Sequence, residues 1–338
     1  MRPCIGGVNI ARRRKARREG DPRDWTELGD STDVDLDSDP TEAELSIEAE
    51  NIAIAEEKWD AEEAGLDLHS EMDKKQDSWS WMKEKKYATM FKEIEHKLQG
   101  VLGTGQFEWV DRRVFDQVFD QRTLLAVYKL MQQGHIDTLD WPIARGKEAH
   151  VFHATTPNGV AAVKIFHTSN AVFKGLMQYI EGDPRFGGLR RRHHELVNIW
   201  VRKEHRNMMR MSKHGLRVPE PHALFRNVLV MDYLGDSEGP SPRLRDVEVE
   251  DPGPIFDELL NWLRICWQEA DLVHADFSEY NILWHQGEPR IIDVGQSVTK
   301  AHPNAEEFLV RDVTRLVEWA QRQGVEVNLA EAMANVLY

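Results

Sequence analysis

The sequence has very little cysteine: Cys4 and Cys266 are the only two among 338 residues. Cys4 lies close to the start of the chain, and Cys266 lies within an apolar stretch that has helical spacing. Two cysteines so placed are expected to form neither a disulfide nor a zinc site. The sequence therefore argues against both a disulfide framework and a zinc module.

Long apolar runs are also missing. No stretch approaches the roughly 20 apolar residues that a membrane-spanning helix needs, and the N-terminus lacks the apolar core of a signal peptide. With 41% hydrophobic and 30% charged residues, the composition is that of a globular domain with some extra charge. We therefore expect a cytoplasmic protein without membrane contact, long enough for one large or two ordinary domains.

Basic residues are outnumbered, and the formal net charge of -15 argues against non-specific nucleic-acid binding by the whole surface. A local patch is still open, because residues 12–18 are rich in arginine. An acidic segment, 21–71, follows it, and opposite charge blocks without a core pattern predict a disordered tail. The arginines are interpreted either as an RNA or ribosome contact or as a solvated tail that folds back on its acidic neighbour.

The most informative stretch is 272–284, where apolar triplets flank a polar loop that contains His274, Asp276 and Asn281. A second apolar run then leads to Asp293. The spacing H-x-D-x-x-x-x-N followed by a later aspartate is typical of phosphoryl transfer. In such sites one carboxylate orients an attacking hydroxyl, and an amide and a second carboxylate hold Mg²⁺ against the phosphates. A simple turn with capping aspartates is the alternative.

A second signal comes from two charges at apolar positions. Lys164 lies inside an apolar strand pattern, and Glu204 lies in the middle of an apolar helical seam. Alone, Lys164 would be interpreted as a solvent-facing residue of a half-buried strand. Because an unpaired buried ammonium is costly, the two charges together predict one ion pair between a strand and a helix, as kinases use to hold the α- and β-phosphates.

Apolar spacing orders the remaining elements. The predicted elements are helices up to Gly134, hairpins over 151–166 and 222–235, and helices over 197–211, 255–270, 305–320 and 325–338. Glycines and an arginine run over 181–194 predict a mobile basic loop. No G-x-G-x-x-G precedes Lys164, and no A-P-E follows Asp293. We therefore expect protein phosphorylation to be slow or restricted, and ATP hydrolysis coupled to binding to be the main activity.

Eight segments carry a family resemblance. They are 145–149 (RGKEA), 162–164 (AVK), 181–186 (EGDPRF), 203–204 (KE), 218–221 (VPEP), 228–231 (VLVM), 274–281 (HADFSEYN) and 292–297 (IDVGQS). In this order they resemble the RIO-type atypical serine/threonine protein kinases, best the Rio-one subfamily and its archaeal members. The resemblance implies an α+β, two-lobed, protein-kinase-like fold, with a small antiparallel sheet in the N-lobe and a reduced helical C-lobe.

The resemblance also implies domain limits and roles. The predicted divisions are a disordered basic-then-acidic tail (1–78), a helical linker (79–106), an N-lobe with N-terminal helices (107–235), a C-lobe (236–328) and a C-terminal tail (329–338). ATP and Mg²⁺ are the implied cofactors. The implied roles are phosphate binding by Lys164 paired with Glu204, nucleotide contacts from Gly146, Lys147, Met231, Asp232 and Leu234, proton acceptance by Asp276, and metal binding by Asn281 and Asp293.

The family is also associated with phosphate transfer to the metal-site aspartate, here Asp293, and with late maturation of the small ribosomal subunit. The implied partner is therefore the precursor of the small ribosomal subunit, with its rRNA and ribosomal proteins. The enzyme is expected to be a monomer and to have a protein substrate as well. The sequence departs from the family at Ala144-Arg145, where Ser-Thr is usual, and at Phe277, where Leu is usual. No Ser or Thr lies between Ala171 and Met211, so autophosphorylation there is not expected.

Two other classes stay open at this point. Small-molecule kinases of the aminoglycoside or choline type share the H-x-D-x-x-x-x-N spacing, and rapid turnover of such an alcohol would favour them. A non-catalytic ribosome-binding module could retain the same fold. The complete set of Lys164, Glu204, Asp276, Asn281 and Asp293 argues against the second.

Overall fold

A computed structural model describes residues 92–93, 95–98, 119–168, 176–186 and 193–338. The predicted tail over 1–78, most of the 79–106 linker and residues 107–118 of the helices predicted up to Gly134 lie outside these residues. The described part of the predicted helical linker is helical at 92–93 and forms a short 3-10 turn at Glu95–Leu98.

The first long helix, α1, spans Gln121–Gln132. It begins at Asp120, whose side chain accepts a hydrogen bond of 2.7 Å from the amide of Thr123, as a helix N-cap does. It ends just before Gly134, which has a φ of 77°. That left-handed conformation favours glycine and lets the following amides bond back to the last carbonyls, so the predicted stop is confirmed.

A five-stranded antiparallel sheet follows, in the order β1-β2-β3-β5-β4. Its strands are β1 (Thr138–Arg145), β2 (Ala149–Thr156), β3 (Gly159–Phe166), β4 (Pro221–Phe225) and β5 (Val228–Asp232). Both predicted hairpins are confirmed, β2–β3 closing at Thr156–Gly159 and β4–β5 closing at Phe225–Val228. The apolar face of α1 covers one side of this sheet and forms a small core with it.

Helix α2 (His193–Lys213) runs on the other side of the sheet and contributes buried residues to the larger core. Residues 187–192 of the predicted mobile basic loop lie outside the described residues, and its first part, 181–186, makes specific contacts. Asp183 is 2% exposed and binds the guanidinium of Arg185 at 2.7 Å, and Arg185 also donates to Asn207 of α2. These bonds fix the 181–186 part of the segment, because a buried carboxylate is stable only with such partners.

The second half of the chain is mainly helical. Its elements are α3 (Pro252–Gln268), β6 (Leu272–Val273), β7 (Ile282–His285), β8 (Glu288–Ile291), β9 (Val298–Thr299), α4 (Ala305–Arg322) and α5 (Leu329–Leu337). Strand β6 pairs with β9, and β7 pairs with β8. The predicted short last helix is confirmed as α5, which packs on α3 and α4 through residues such as Val336.

The α+β class is thus confirmed: a small antiparallel sheet with its helices precedes a helical part. Among the helices that the structure describes, none combines the length and apolar character needed to cross a bilayer. Cys266 is a buried free thiol in α3, and burial raises the pKa of that thiol.

Candidate active site

The site is built around Lys164 on β3. Its ammonium donates to Glu204 Oε1 of α2 at 2.5 Å and to Asp293 Oδ1 at 2.6 Å. Lys164 is 7% exposed and Glu204 is 1% exposed. The predicted strand–helix ion pair is therefore confirmed, and Asp293 joins it from the other half of the chain.

The charges of this trio support one another. Burial opposes the charge on Lys164, but Asp293 and Glu204 outweigh burial and raise the pKa of the lysine. The Lys164 ammonium lowers the pKa of Asp293. Burial raises the pKa of Glu204, and Lys164 opposes that shift. A charged lysine between two acids is the arrangement that these shifts favour.

The loop between β6 and β7 presents Asp276. Its Oδ2 accepts hydrogen bonds from Asn281 Nδ2 at 3.0 Å and Gln296 Nε2 at 3.5 Å, and its Oδ1 accepts from Arg315 Nη1 at 2.8 Å. The preceding residue, Ala275, has a φ of 66°. A non-glycine residue in this region is strained, and such strain often occurs where a loop must aim a functional side chain.

His274 contributes to the loop through the hydrogen bonds and the packing of its imidazole ring. It is fully buried against Trp262 and Phe277, and burial lowers the pKa of its imidazole to about 4. Its Nδ1 lies 3.3 Å from the amide of Asp276, and Nε2 lies 3.3 Å from the carbonyl of Ile292. The neutral ring therefore links the Asp276 loop to the strand that leads to Asp293.

Asn281 and Asp293 form a donor set that suits a hard cation. The Nδ2 of Asn281 is used on the carbonyl and carboxylate of Asp276, which leaves its Oδ1 for another partner. The carbonyl of Asn281 accepts from the amide of Ile292, so it lies beside the segment that carries Asp293. The Asp293 side chain is half exposed, and the backbone of this residue has a φ of 58°. An amide oxygen and a carboxylate fit Mg²⁺, which commonly takes its other ligands from phosphates and water.

Within the described ranges, no group of three or more His, Cys, Asp or Glu side chains is arranged to hold an ion.

The nucleotide contacts predicted around the sheet are placed as follows. Met231 is buried on β5. The amide of Asp232 donates to the carbonyl of Glu220, and the carbonyl of Leu234 accepts from the amide of Ser241. Adenine would therefore bond the carbonyl of Asp232 and the amide of Leu234. Gly146 closes the turn between β1 and β2 by donating to Ala149 at 2.9 Å, and Lys147 in this turn is exposed. Their nucleotide contacts remain predictions.

Sequence reasoning missed a polar clamp behind Asp293. Lys203 is fully buried, and its Nζ donates to the carbonyl of Gly295 at 2.7 Å and to that of Ser297. Asn207, one turn further along α2, donates to the carbonyls of Val294 at 2.8 Å and Ser297 at 3.0 Å. The clamp fixes the 3-10 turn that follows Asp293. The signal was present in the sequence, since Lys203 precedes Glu204 on the buried part of the helix.

A second group that sequence reasoning missed lies on α4. Asp312 is fully buried and accepts from the amides of Ala275 at 2.7 Å and Phe277 at 3.0 Å. Arg311 donates to the carbonyl of Ala275. These bonds hold the backbone on both sides of Asp276, so α4 positions the loop that carries the proposed proton acceptor.

Comparison with known proteins shows the family of the chain. The RIO domain family matches residues 150–333, which is more than half of the chain. The chain belongs to the RIO family of serine/threonine-protein kinases. The RIO-type serine/threonine-protein kinase Rio1 of Haloferax volcanii is 43% identical over 217 residues, which are 64% of this chain and 74% of that protein.

Eukaryotic relatives are similar over the same share of this chain. The serine/threonine-protein kinase RIO1 of Caenorhabditis elegans is 41% identical, covering 64% of this chain and 44% of its own length. The human RIO1 is 38% identical and is covered over 39% of its length, so this RIO chain spans less than half of either relative. A crystal structure of the Rio2 kinase-ADP/Mg²⁺-phosphoaspartate complex from Chaetomium thermophilum is 24% identical, with a TM-score of 0.47, covering 62% of this chain and 65% of that one.

Proposed function

We propose that this RIO kinase uses Mg²⁺-ATP for phosphoryl transfer and also hydrolyses ATP. The observation that carries the proposal is the buried Lys164 ammonium held between Glu204 and Asp293. Because Glu204 is buried and Asp293 is half exposed, the lysine is fixed from the buried side by Glu204, and a ligand would reach it from the side of Asp293. A fixed cation beside a carboxylate suits the binding of a metal-bound polyphosphate.

Each side chain has a role that its contacts allow. Lys164 would hold phosphate oxygens, and Asn281 and Asp293 would hold Mg²⁺. When bound, that ion would neutralise charge on the phosphates. Asp276 would orient the acceptor hydroxyl and accept its proton, since Asn281 and Arg315 fix its carboxylate. The bonds from α4 to the backbone of the loop keep Asp276 in place before a substrate arrives.

We further infer that Asp293 receives a phosphoryl group in the hydrolytic reaction. Lys164 bonds Oδ1 of this carboxylate, keeps it ionised by lowering its pKa, and half of the side chain is exposed. A carboxylate oxygen would attack the γ-phosphorus as the bond from that phosphorus to the bridging oxygen breaks, releasing ADP. Water would then attack the acyl phosphate and release inorganic phosphate, regenerating Asp293.

The partner we propose is the precursor of the small ribosomal subunit, with its rRNA and proteins, bound by a monomeric cytoplasmic enzyme. The resemblance of the motifs at 274–281 and 292–297 to Rio-one kinases supports this role, and the arginine-rich segment over 12–18 suits contacts with rRNA phosphates. No contact of the described residues favours a small-molecule kinase. The intact ion-pair network speaks against a non-catalytic module.

Turnover measurements test the proposed reaction. Purified protein should release ADP from ATP only with Mg²⁺, and precursor small subunits should raise the rate, whereas choline or an aminoglycoside should not. Asp276→Asn should lower protein phosphorylation by about a hundredfold, as loss of a general base typically does, without changing the melting temperature. Magnesium-independent turnover, or rapid phosphorylation of a small alcohol, would contradict the proposal.

The acyl phosphate needs its own measurement. After incubation with γ-labelled ATP and acid quenching, the wild-type protein should carry label that hydroxylamine removes, since acyl phosphates react with it. Asp293→Asn should carry no such label, whereas Asp276→Asn should still be labelled, because it retains the Asp293 nucleophile. Label that resists hydroxylamine would assign the phosphate to a hydroxyl side chain instead and exclude this intermediate.

A further inference from the structure

Arg315 on α4 is the cation in direct contact with the proposed proton acceptor. Its Nη1 donates to Asp276 Oδ1 at 2.8 Å, and the two side chains are 37% and 34% exposed. Other arginines of this helix have different partners: Arg311 donates to the carbonyl of Ala275, and Arg322 donates to Glu279 at 2.6 Å. Because both side chains are partly exposed, the Arg315–Asp276 pair is accessible to a ligand.

The geometry places Arg315 close to the group that is transferred. An acceptor hydroxyl must come within about 2.6–3.2 Å of the Asp276 carboxylate. The phosphorus under attack then lies about 3–3.5 Å from that hydroxyl. Because Asn281 and Gln296 occupy Oδ2 and Arg315 occupies Oδ1, the guanidinium is next to this approach.

The charges of the site also favour a cation beside the transferred phosphoryl group. Four carboxylates belong to the site, those of Glu148, Glu204, Asp276 and Asp293, and the Lys164 ammonium is already shared by two of them. A triphosphate adds further negative charge, which builds up on the equatorial oxygens of the transferred group. A guanidinium can bond two such oxygens at once, which an ammonium cannot do with the same geometry.

We propose that Arg315 binds the terminal phosphoryl group of the nucleotide, and that it does so from the C-terminal half of the site while Lys164 binds the inner phosphates. This inference rests on the proposed function and adds a catalytic residue to it. The competing explanation is structural, because Arg315 could serve only to fix the carboxylate of Asp276. The two explanations differ in whether Arg315 contributes to the affinity for a nucleotide that carries a γ-phosphate.

Equilibrium binding separates the two explanations. We would titrate full-length wild-type protein, Arg315→Gln and Arg315→Lys with Mg²⁺-ADP and with a non-hydrolysable Mg²⁺-ATP analogue. Arg315→Gln should bind the analogue about tenfold more weakly, as loss of one charged hydrogen bond implies, and should bind ADP like the wild type. Arg315→Lys should fall in between. Arg322→Gln, an exposed arginine on the same helix, is the matched control and should bind both nucleotides normally.

Turnover supplies the second measurement. In Arg315→Gln, kcat should drop by about a hundredfold, which is the usual loss when one donor to the transition state is removed, and added guanidinium should restore part of it in Arg315→Ala. An unchanged ratio of analogue to ADP affinity would overturn the proposal, as would faster turnover in Arg315→Gln. Wild-type protein that binds neither nucleotide would overturn the proposed function as well, and that result is distinct from a loss confined to Arg315. Thermal melting would confirm that each variant is folded.

Discussion

Replacing Lys164 by methionine should lower the free energy of unfolding by about 3 kcal/mol, because it breaks a buried ion pair. Glu204 is 1% exposed and would lose the ammonium that lies 2.5 Å from its carboxylate. Asp293 would suffer less, since half of its side chain is exposed to water. ATP turnover should fall by about a thousandfold, the upper range for loss of one electrostatic contact to a transition state.

Chemical denaturation and ATP turnover would measure the two effects separately. The double variant Lys164→Met/Glu204→Gln should recover part of the lost stability, because no buried charge is then left unpaired, but it should remain inactive. Lys213→Met, at the exposed end of the same helix that carries Glu204, is the control and should change neither quantity much. If Lys164→Met unfolds at the same denaturant concentration as the wild type, the pair does not stabilise the fold.

The sequence predicted this part of the site because charge at an apolar position is a strong signal. Lys164 interrupts an apolar strand, and Glu204 interrupts an apolar helical face, so their pairing followed from the cost of burying either alone. Asp276, Asn281 and Asp293 were found by spacing. What spacing could not give is that Lys164 bonds Asp293 directly, since this contact joins residues 129 positions apart.

The same reasoning could have found Asp312, and its signal was overlooked. Phe308, Leu309, Val313 and Leu316 form the buried face of α4, and Asp312 lies on that face one turn after Phe308. Its partners, however, are backbone amides of a distant loop, and no sequence pattern identifies a backbone partner.

The contacts of the 181–186 segment were missed for a related reason. Glycine and charge predict a mobile loop unless a buried partner is known, and Asp183 and Asn207 provide that partner for Arg185.

Asp312→Ala should cost about 3 kcal/mol of stability and most of the activity. The carboxylate accepts from the amides of Ala275 and Phe277, and both would be left buried without a partner at roughly 1–3 kcal/mol each. Ala275 is held with a φ of 66°, so loss of these bonds also removes what maintains the strained loop beside Asp276. Denaturant unfolding and phosphorylation rate would measure the two losses. Glu318→Ala, an exposed acid of the same helix, serves as control.

The pH dependence of stability gives Asp312 a separate signature. Burial raises the pKa of this carboxyl to about 7, against the bonds from the two amides, whereas the unfolded chain has an ordinary aspartate near 4. Between these values the folded state binds a proton that the unfolded state does not. The stabilisation is therefore complete below about pH 4 and is lost as the pH rises through about 7, by at most about 4 kcal/mol. Unfolding free energies measured from pH 4 to pH 8 should fall more steeply in the wild type than in Asp312→Asn, which cannot titrate. Equal slopes would mean that the carboxylate is ionised throughout, and the two amides would then outweigh the cost of its burial.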